Sequence, residues 1–209
     1  MKESKHLEIN EAKWDKFANS LDGKGWRYEY LRKAQGAVIS LLDLKEDISI
    51  LDIGCGTGWA LGQASKLNLG KGSFYGVDLS GKMIEKANEN FKEEKNFHFI
   101  KSNAETIPLE DNLFNIIICT NSFHHYLNPD KVLKEINRLL KLEGKIYILD
   151  ITADIWIMKI ANKLMKLLEP SFVKFYSTKE FKGLIVDAGL KYIGCKMIRM
   201  HQKVHIGEK

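Results

Sequence analysis

Apolar residues in this chain keep two alternating rhythms. Short, nearly continuous apolar runs alternate with longer stretches in which apolar residues recur every third or fourth position. The runs Ile48 to Ile53 and Phe114 to Thr120 suit strands buried on both faces, and Ser73 to Asp78, Phe97 to Lys101 and Lys145 to Ile151 read as further strands. Between them lie helical patterns. Trp26 to Leu44 precedes the first strand and Thr57 to Leu67 follows it. A helix capped by Ser80 carries Met83, Ile84, Ala87 and Phe91 in one stripe. Another opens at Asn128-Pro129 and runs through Lys141, with Val132, Leu133, Ile136, Leu139 and Leu140 inward and Gly144 breaking it. Ser177-x-x-Glu180 is a capping box for a helix ending at Gly189. Leu190 to Lys196 and Ile198 to His205 form a close final pair. Alternating strands and helices imply a parallel sheet with right-handed crossovers, and a close pair must be antiparallel.

Two segments stand outside this rhythm. Asn10 is placed to cap a helix carrying Trp14, Phe17, Ala18 and Leu21, which Asp22-Gly23-Lys24-Gly25 stops; it reads as a lid or brace. Ile155 to Leu168 sets Met158, Ala161, Leu164, Met165 and Leu168 on one side of a helix and Lys159, Lys163 and Lys166 on the other, and Glu169-Pro170 ends it. Either that helix packs over the carboxyl edge of the sheet, or its methionines and Trp156 line an apolar pocket or meet a membrane surface. Its charges and length exclude a membrane span. At 209 residues and 44% hydrophobic content the expectation is one domain over 1–209, with a helical lid over 1–44, a core over 45–209 and a helical insertion at 153–170.

Composition narrows the chemistry. Met1 to Glu11 is charged and lacks an apolar segment, so the chain reads as cytoplasmic. Cys55, Cys119 and Cys195 are odd in number and widely spaced, which suggests neither a disulfide framework nor a metal site. The net charge of +5 is carried by lysines interleaved with acids along helical faces, so nucleic acid is a minor hypothesis beside a solvated surface.

The richest stretch is Ile50-Leu51-Asp52-Ile53-Gly54-Cys55-Gly56-Thr57-Gly58-Trp59, a strand running into a loop with glycine at every second position. As a dinucleotide fingerprint it fails, since Trp59 or Leu61 stands where G-x-G-x-x-G needs its third glycine. Asp78 ends the second strand 20 residues beyond Gly58, where doubly wound folds place the acid that receives ribose hydroxyls. Asp52, two residues before the first glycine, would repel a phosphate and attract an ammonium, or else simply receive backbone N–H groups of the turn. A ligand with a ribose and an amino group fits best.

Leu51 to Gly58, Val77-Asp78, Asn103-Ala104-Glu105 with Ile107-Pro108, and Asn121-Ser122-Phe123-His124-His125 resemble the ordered motifs of S-adenosylmethionine-dependent methyltransferases of the ubiquinone/menaquinone C-methyltransferase-like group. The resemblance runs from Trp14-Asp15-Lys16-Phe17-Ala18 to the closing Val204 to Lys209. It implies a Rossmann-like doubly wound α/β sheet of seven strands in the order 3-2-1-4-5-7-6, the last antiparallel. It also implies S-adenosyl-L-methionine as cofactor, held by Asp52, Gly54, Cys55, Gly56, Thr57, Gly58, Asp78, Leu79, Met83, Asn103, Ala104, Glu105, Asn121 and Phe123. Two departures stand out: Asn103 replaces the usual acid at the adenine edge, and Leu21-Asp22 replaces a Tyr-Asp pair. His124 and His125 follow the fourth strand as candidate catalytic groups; as neighbours their side chains should diverge, leaving one to act as a base or both to be structural. The implied reaction is methyl transfer to a small or lipid-like acceptor, with no metal. A non-enzymatic cofactor-binding module and an RNA methyltransferase are the alternatives, and a homodimer is the protein partner allowed for. A nucleic-acid adenine methyltransferase would carry Asn/Asp-Pro-Pro-aromatic where Thr120-Asn121-Ser122-Phe123 stands.

Overall fold

The computed structural model describes residues 2–18, 26–68, 70–199 and 201–209. Helices α1 (Lys2–Ala18) and α2 (Trp26–Ile39) precede strand β1 (Ile48–Ile53), followed by α3 (Trp59–Leu67), β2 (Gly72–Asp78), α4 (Gly81–Asn90) and β3 (Phe97–Lys101). Then come β4 (Phe114–Thr120), a 3-10 turn (Phe123–His125), α5 (Pro129–Leu139), β5 (Leu140–Ile151), α6 (Trp156–Leu168), α7 (Thr178–Asp187), β6 (Lys191–Arg199) and β7 (Gln202–Glu208). All seven strands form one sheet in the order β3-β2-β1-β4-β5-β7-β6. β7 runs antiparallel to both of its neighbours and the other pairs are parallel.

The two-residue side-chain period of β1 and β4 divides the core. Leu51, Ile53 and Ile117 pack with Leu133, Ile136 and Phe181 on one face, whereas Ile50, Ile116 and Ile118 pack with Ala34, Val38 and Leu61 on the other. α2 is therefore a core helix, and of the expected 1–44 lid only α1 lies apart from the two sheet faces. α1 starts earlier than the sequence suggested. Asn10 lies in mid-helix, buried, its amide donating to the His6 carbonyl four residues back, and caps nothing. The expected stop at Asp22-Gly23-Lys24-Gly25 falls outside the described residues.

Two more boundaries moved. α5 ends at Leu139 because Leu140 already pairs with Phe114 of β4. Gly144 therefore lies within β5, beside Glu143 at φ 61°, where a Cβ on the glycine would stand 2.7 Å from the Lys141 carbonyl oxygen. The final hairpin turns between Arg199 and Gln202, later than expected, with register shifts at Tyr192/Gly194 and Met197/Arg199. The capping box of α7 is formed as read, Ser177 and Glu180 satisfying each other's backbone N–H.

Candidate active site

β1, β2 and β4 end on the same edge, so the turns that follow them meet. The glycine loop is seated by Gly54 N and Cys55 N, which donate to Val77 O at 2.8 and 3.1 Å. Gly54 and Gly58 have φ of 77° and 82°, and both are pressed by protein. A Cβ on Gly54 would lie 2.7 Å from Ser122 Oγ, and one on Gly58 2.8 Å from the Phe99 ring. Gly56 differs: nothing stands within 4 Å of its missing Cβ. That bare stretch of backbone is the open part of the loop.

Two carboxylates flank it in opposite conditions. Asp78 Oδ2 accepts from Gly56 N at 2.9 Å and Oδ1 from Ser80 N at 2.9 Å, which leaves a lone pair on each oxygen for a further donor. Burial raises its pKa and these backbone bonds hold it back. Asp52 is wholly buried and neither oxygen has a hydrogen-bond partner. Desolvation, with Asp78 adding to it, lifts its pKa from 3.8 to about 8. The reading of Asp52 as an acceptor of turn amides fails, since those amides go to Val77 and Asp78. What remains is a buried acid with two free oxygens, an arrangement that costs stability unless a cation completes it.

The other expected contacts gather unevenly. Leu79 is half-buried between Asp78 and Ser80, and Met83 is buried with its N–H on Ser80 Oγ. Cys55 is buried, and the Thr57 carbonyl accepts from Asn90. Asn103 Oδ1 accepts from Glu105 N at 3.1 Å, with Ala104 buried between them, while the Glu105 carboxylate is held by Asn128 and Lys131. Asn121, at φ 57°, accepts from Gln202 and keeps a buried amide nitrogen without a partner. Phe123 departs from the set. Its ring is fully buried against Tyr126, Tyr176 and Phe181, so only its backbone is available to a ligand.

Against expectation, the rings of His124 and His125 do not diverge. The 3-10 turn brings their centroids to 4.1 Å. Their surroundings separate them instead. His125 is buried, its Nδ1 donates to Ser171 O, Trp14 meets it edge-on at 5.5 Å, and desolvation lowers its pKa to about 3, which keeps the ring neutral. His124 faces Asp150, which the sequence reading missed. Its Nδ1 lies 2.8 and 3.0 Å from the two Asp150 oxygens, and its own backbone N–H donates to the same carboxylate. Nδ1 therefore donates to Asp150, and Nε2 makes no hydrogen bond among the described residues. The His124 ring also adjoins Phe172 and Phe175, at 5.9 and 5.3 Å. Asp150 carried a readable signal, since it stands one residue before the end of an apolar run, as Asp52 does.

α1 crosses above this edge. Asp15 Oδ1 accepts from Ser80 Oγ and Lys82 N, Glu11 pairs with Lys101, Lys13 with Glu169 and Ser171, and His6 Nε2 donates to the His125 carbonyl. Both ends of the site are thus tied to one helix. Among the described residues no cluster of His, Cys, Asp or Glu is arranged to hold a metal ion.

A methyltransferase-domain family model matches residues 44–189. The uncharacterized methyltransferase YcgJ of Bacillus subtilis (strain 168) is 31% identical over 163 residues, 75% of this chain and 62% of its own. The ubiquinone/menaquinone biosynthesis C-methyltransferase UbiE of Campylobacter jejuni is 34% identical over 139 residues, 65% of this chain and 57% of its own. The chain therefore spans less than two thirds of either relative. Among solved structures, YcgJ aligns with a TM-score of 0.70 at 27% identity over 79% of this chain and 72% of that one. Human N-acetylserotonin methyltransferase, solved with S-adenosylmethionine, aligns with a TM-score of 0.73 over 95% of this chain and 56% of its own, and at 16% identity this is a likeness of fold.

Proposed function

Because the chain belongs to the methyltransferase-domain family, and its cofactor is accordingly S-adenosylmethionine, we propose that it methylates a small, lipid-like acceptor whose proton is taken by His124. The cofactor supplies an electrophilic methyl carbon on a positively charged sulfur. Asp52 fits the methionyl ammonium, since its two free oxygens are the orphaned buried acceptors of the site. Asp78 has the spare lone pairs for ribose hydroxyls, and Gly56 offers backbone with no side chain in the way. Asn103 to Glu105 would border the adenine and Asn121 the methionyl side.

The observation that carries the chemical reading is the His124–Asp150 pair. Asp150 fixes the tautomer of the ring and stabilises the imidazolium formed when Nε2 takes a proton from an acceptor hydroxyl or activated carbon. The Phe172 and Phe175 rings beside it favour an apolar acceptor. His125 holds the turn in place.

Screening quinol precursors, phenols, amines and small RNAs for formation of S-adenosylhomocysteine tests this. Turnover is expected with an apolar hydroxylated or quinol-type acceptor. His124→Gln should lower kcat by about 10²-fold or more at unchanged cofactor affinity. Asp150→Asn should lower kcat and shift its pH profile. Full activity in His124→Gln would leave alignment of the reactants as the whole mechanism, and turnover confined to RNA would overturn the acceptor class.

A further inference from the structure

α6 has no buried residue. It touches the body on one side only, where Met158 and Met165 pack on Ala153, Phe172 and Phe175 and the Asn162 side chain bonds both the N–H and the carbonyl of Phe175. Away from that seam, Trp156, Ile157, Ile160, Leu164, Leu167 and Leu168 are exposed, Trp156 at 72% and Leu167 at 82%. At 100° per residue these six fall within an arc of about 120°. Water should not be their resting environment, since six large apolar side chains on one helical face exceed the scattered exposure that a surface tolerates.

The charges beside that arc say what covers it. Lys159, Lys163 and Lys166 form an exposed row along one border, and none has an acidic partner among the described residues. α6 itself contains no acid. The acids at its two ends are turned to the body, Asp154 to Thr178 and Lys203 and Glu169 to Lys13 and Ser171. A second copy placed face to face would bring two such rows together with nothing to neutralise them. An anionic lipid surface neutralises them and accepts the apolar arc at once.

We propose that α6 docks the protein on a bilayer rich in anionic lipid, with Trp156, Ile160, Leu164 and Leu167 among the upper acyl chains and Lys159, Lys163 and Lys166 against the headgroup phosphates. At 13 residues the helix lies in the interface and does not cross it. The Met158/Met165 seam then connects the lipid side of α6, through Phe172 and Phe175, to His124. The docking goes beyond the proposed reaction and is measured without it.

Flotation of the protein with vesicles of phosphatidylcholine alone, and of phosphatidylcholine with phosphatidylglycerol, at low and high salt is the test. Binding is expected on the phosphatidylglycerol vesicles and should weaken with salt, each lysine contributing about fivefold at low ionic strength. The triple change Lys159→Glu, Lys163→Glu and Lys166→Glu should abolish the preference for anionic lipid. Ile160→Glu with Leu167→Glu should abolish binding itself. Both sets lie on exposed positions, and unchanged thermal midpoints and cofactor affinity would show the fold intact. Wild-type protein that stays unbound, or variant proteins of both sets that float as well as the wild type, overturn the proposal. So does an α6-dependent dimer in sedimentation without vesicle binding, which would give the face to a second copy.

Discussion

Asp52 pits a buried carboxylate against the absence of any donor, and the outcome is a pKa near 8 set by desolvation first and Asp78 second. A cofactor ammonium can pair only with the ionised form, so cofactor binding should release a proton at neutral pH. Calorimetric affinity should rise between pH 6 and 8 by up to about tenfold per pH unit. Asp52→Asn should bind more weakly at pH 8, by about 1.5–3 kcal/mol, and lose the slope. A wild-type affinity flat across that range would remove the ammonium from Asp52. Both flanking acids were legible in the sequence because Asp52 stands one residue before the end of the run that enters the glycine loop and Asp78 closes the next strand. Asp150 stands one residue before the end of its run, but its contact with His124 depends on β5 lying beside β4, and side-chain periodicity does not encode which strands are neighbours. The histidine pair was misread for a local reason: side chains of adjacent residues diverge in strands, whereas the 3-10 turn tilts these two rings together.

At the scale of elements, α1 is held over the site by a row of polar contacts, with Trp14 packed on His125 and Ala18 buried. Asp15 on Ser80 and Lys82, Glu11 on Lys101 and Lys13 on Glu169 are bonds at least partly open to water, each contributing on the order of 1 kcal/mol or less. With the cofactor held at Asp78 as proposed, exchange would pass beneath this strap, because Ser80 links Asp78 to Asp15. Asp15→Ala should therefore raise both association and dissociation rates of the cofactor, about three- to fivefold each, with affinity nearly constant. Stopped-flow fluorescence reports this, since Trp14, which precedes Asp15 in the same helix, packs on His125. Unchanged rates would mean that the cofactor enters elsewhere. The existence of α1 was readable from its apolar spacing, but its start was not. Asn10 looks like a cap in isolation, and only its burial against His6 shows why an amide stands in mid-helix. The end of α5 was hidden similarly, because Leu140 continues the helical stripe and also suits the strand that pairs with Phe114. The long apolar runs and the capping box were read correctly, since their signals are local.

Across the whole molecule, the buried titratable groups set a pH dependence of stability in which two kinds of residue oppose each other. His125 and His205 are buried with pKa lowered from 6.5 to about 3 and about 4, mainly by desolvation. Below pH 6.5 the unfolded chain takes up a proton at each that the folded protein refuses, so each makes stability rise with pH, by up to about 1.4 kcal/mol per pH unit. Asp52 acts with the opposite sign. Its folded pKa stands above its unfolded one, so its contribution is intact below pH 3.8 and is lost as pH climbs toward about 8. Asp78 works in the same direction from the same starting pKa. Glu135, Asp154, Glu169 and Glu180, whose pKa values are lowered, matter only in the acid range, where protonation removes their contribution. Between about pH 5 and 6.5 the two histidines outweigh Asp52, and above pH 7 Asp52 acts without them. Denaturant unfolding of the cofactor-free protein should accordingly show greatest stability between about pH 6 and 7 and a decline toward pH 8. Asp52→Asn should abolish that decline, and so should saturating cofactor, because a bound cation stabilises the ionised carboxylate. A stability still climbing from pH 7 to 8 in the cofactor-free wild type would mean that Asp52 is already ionised in the folded protein, and the energetic reason for a cation at that position would be gone.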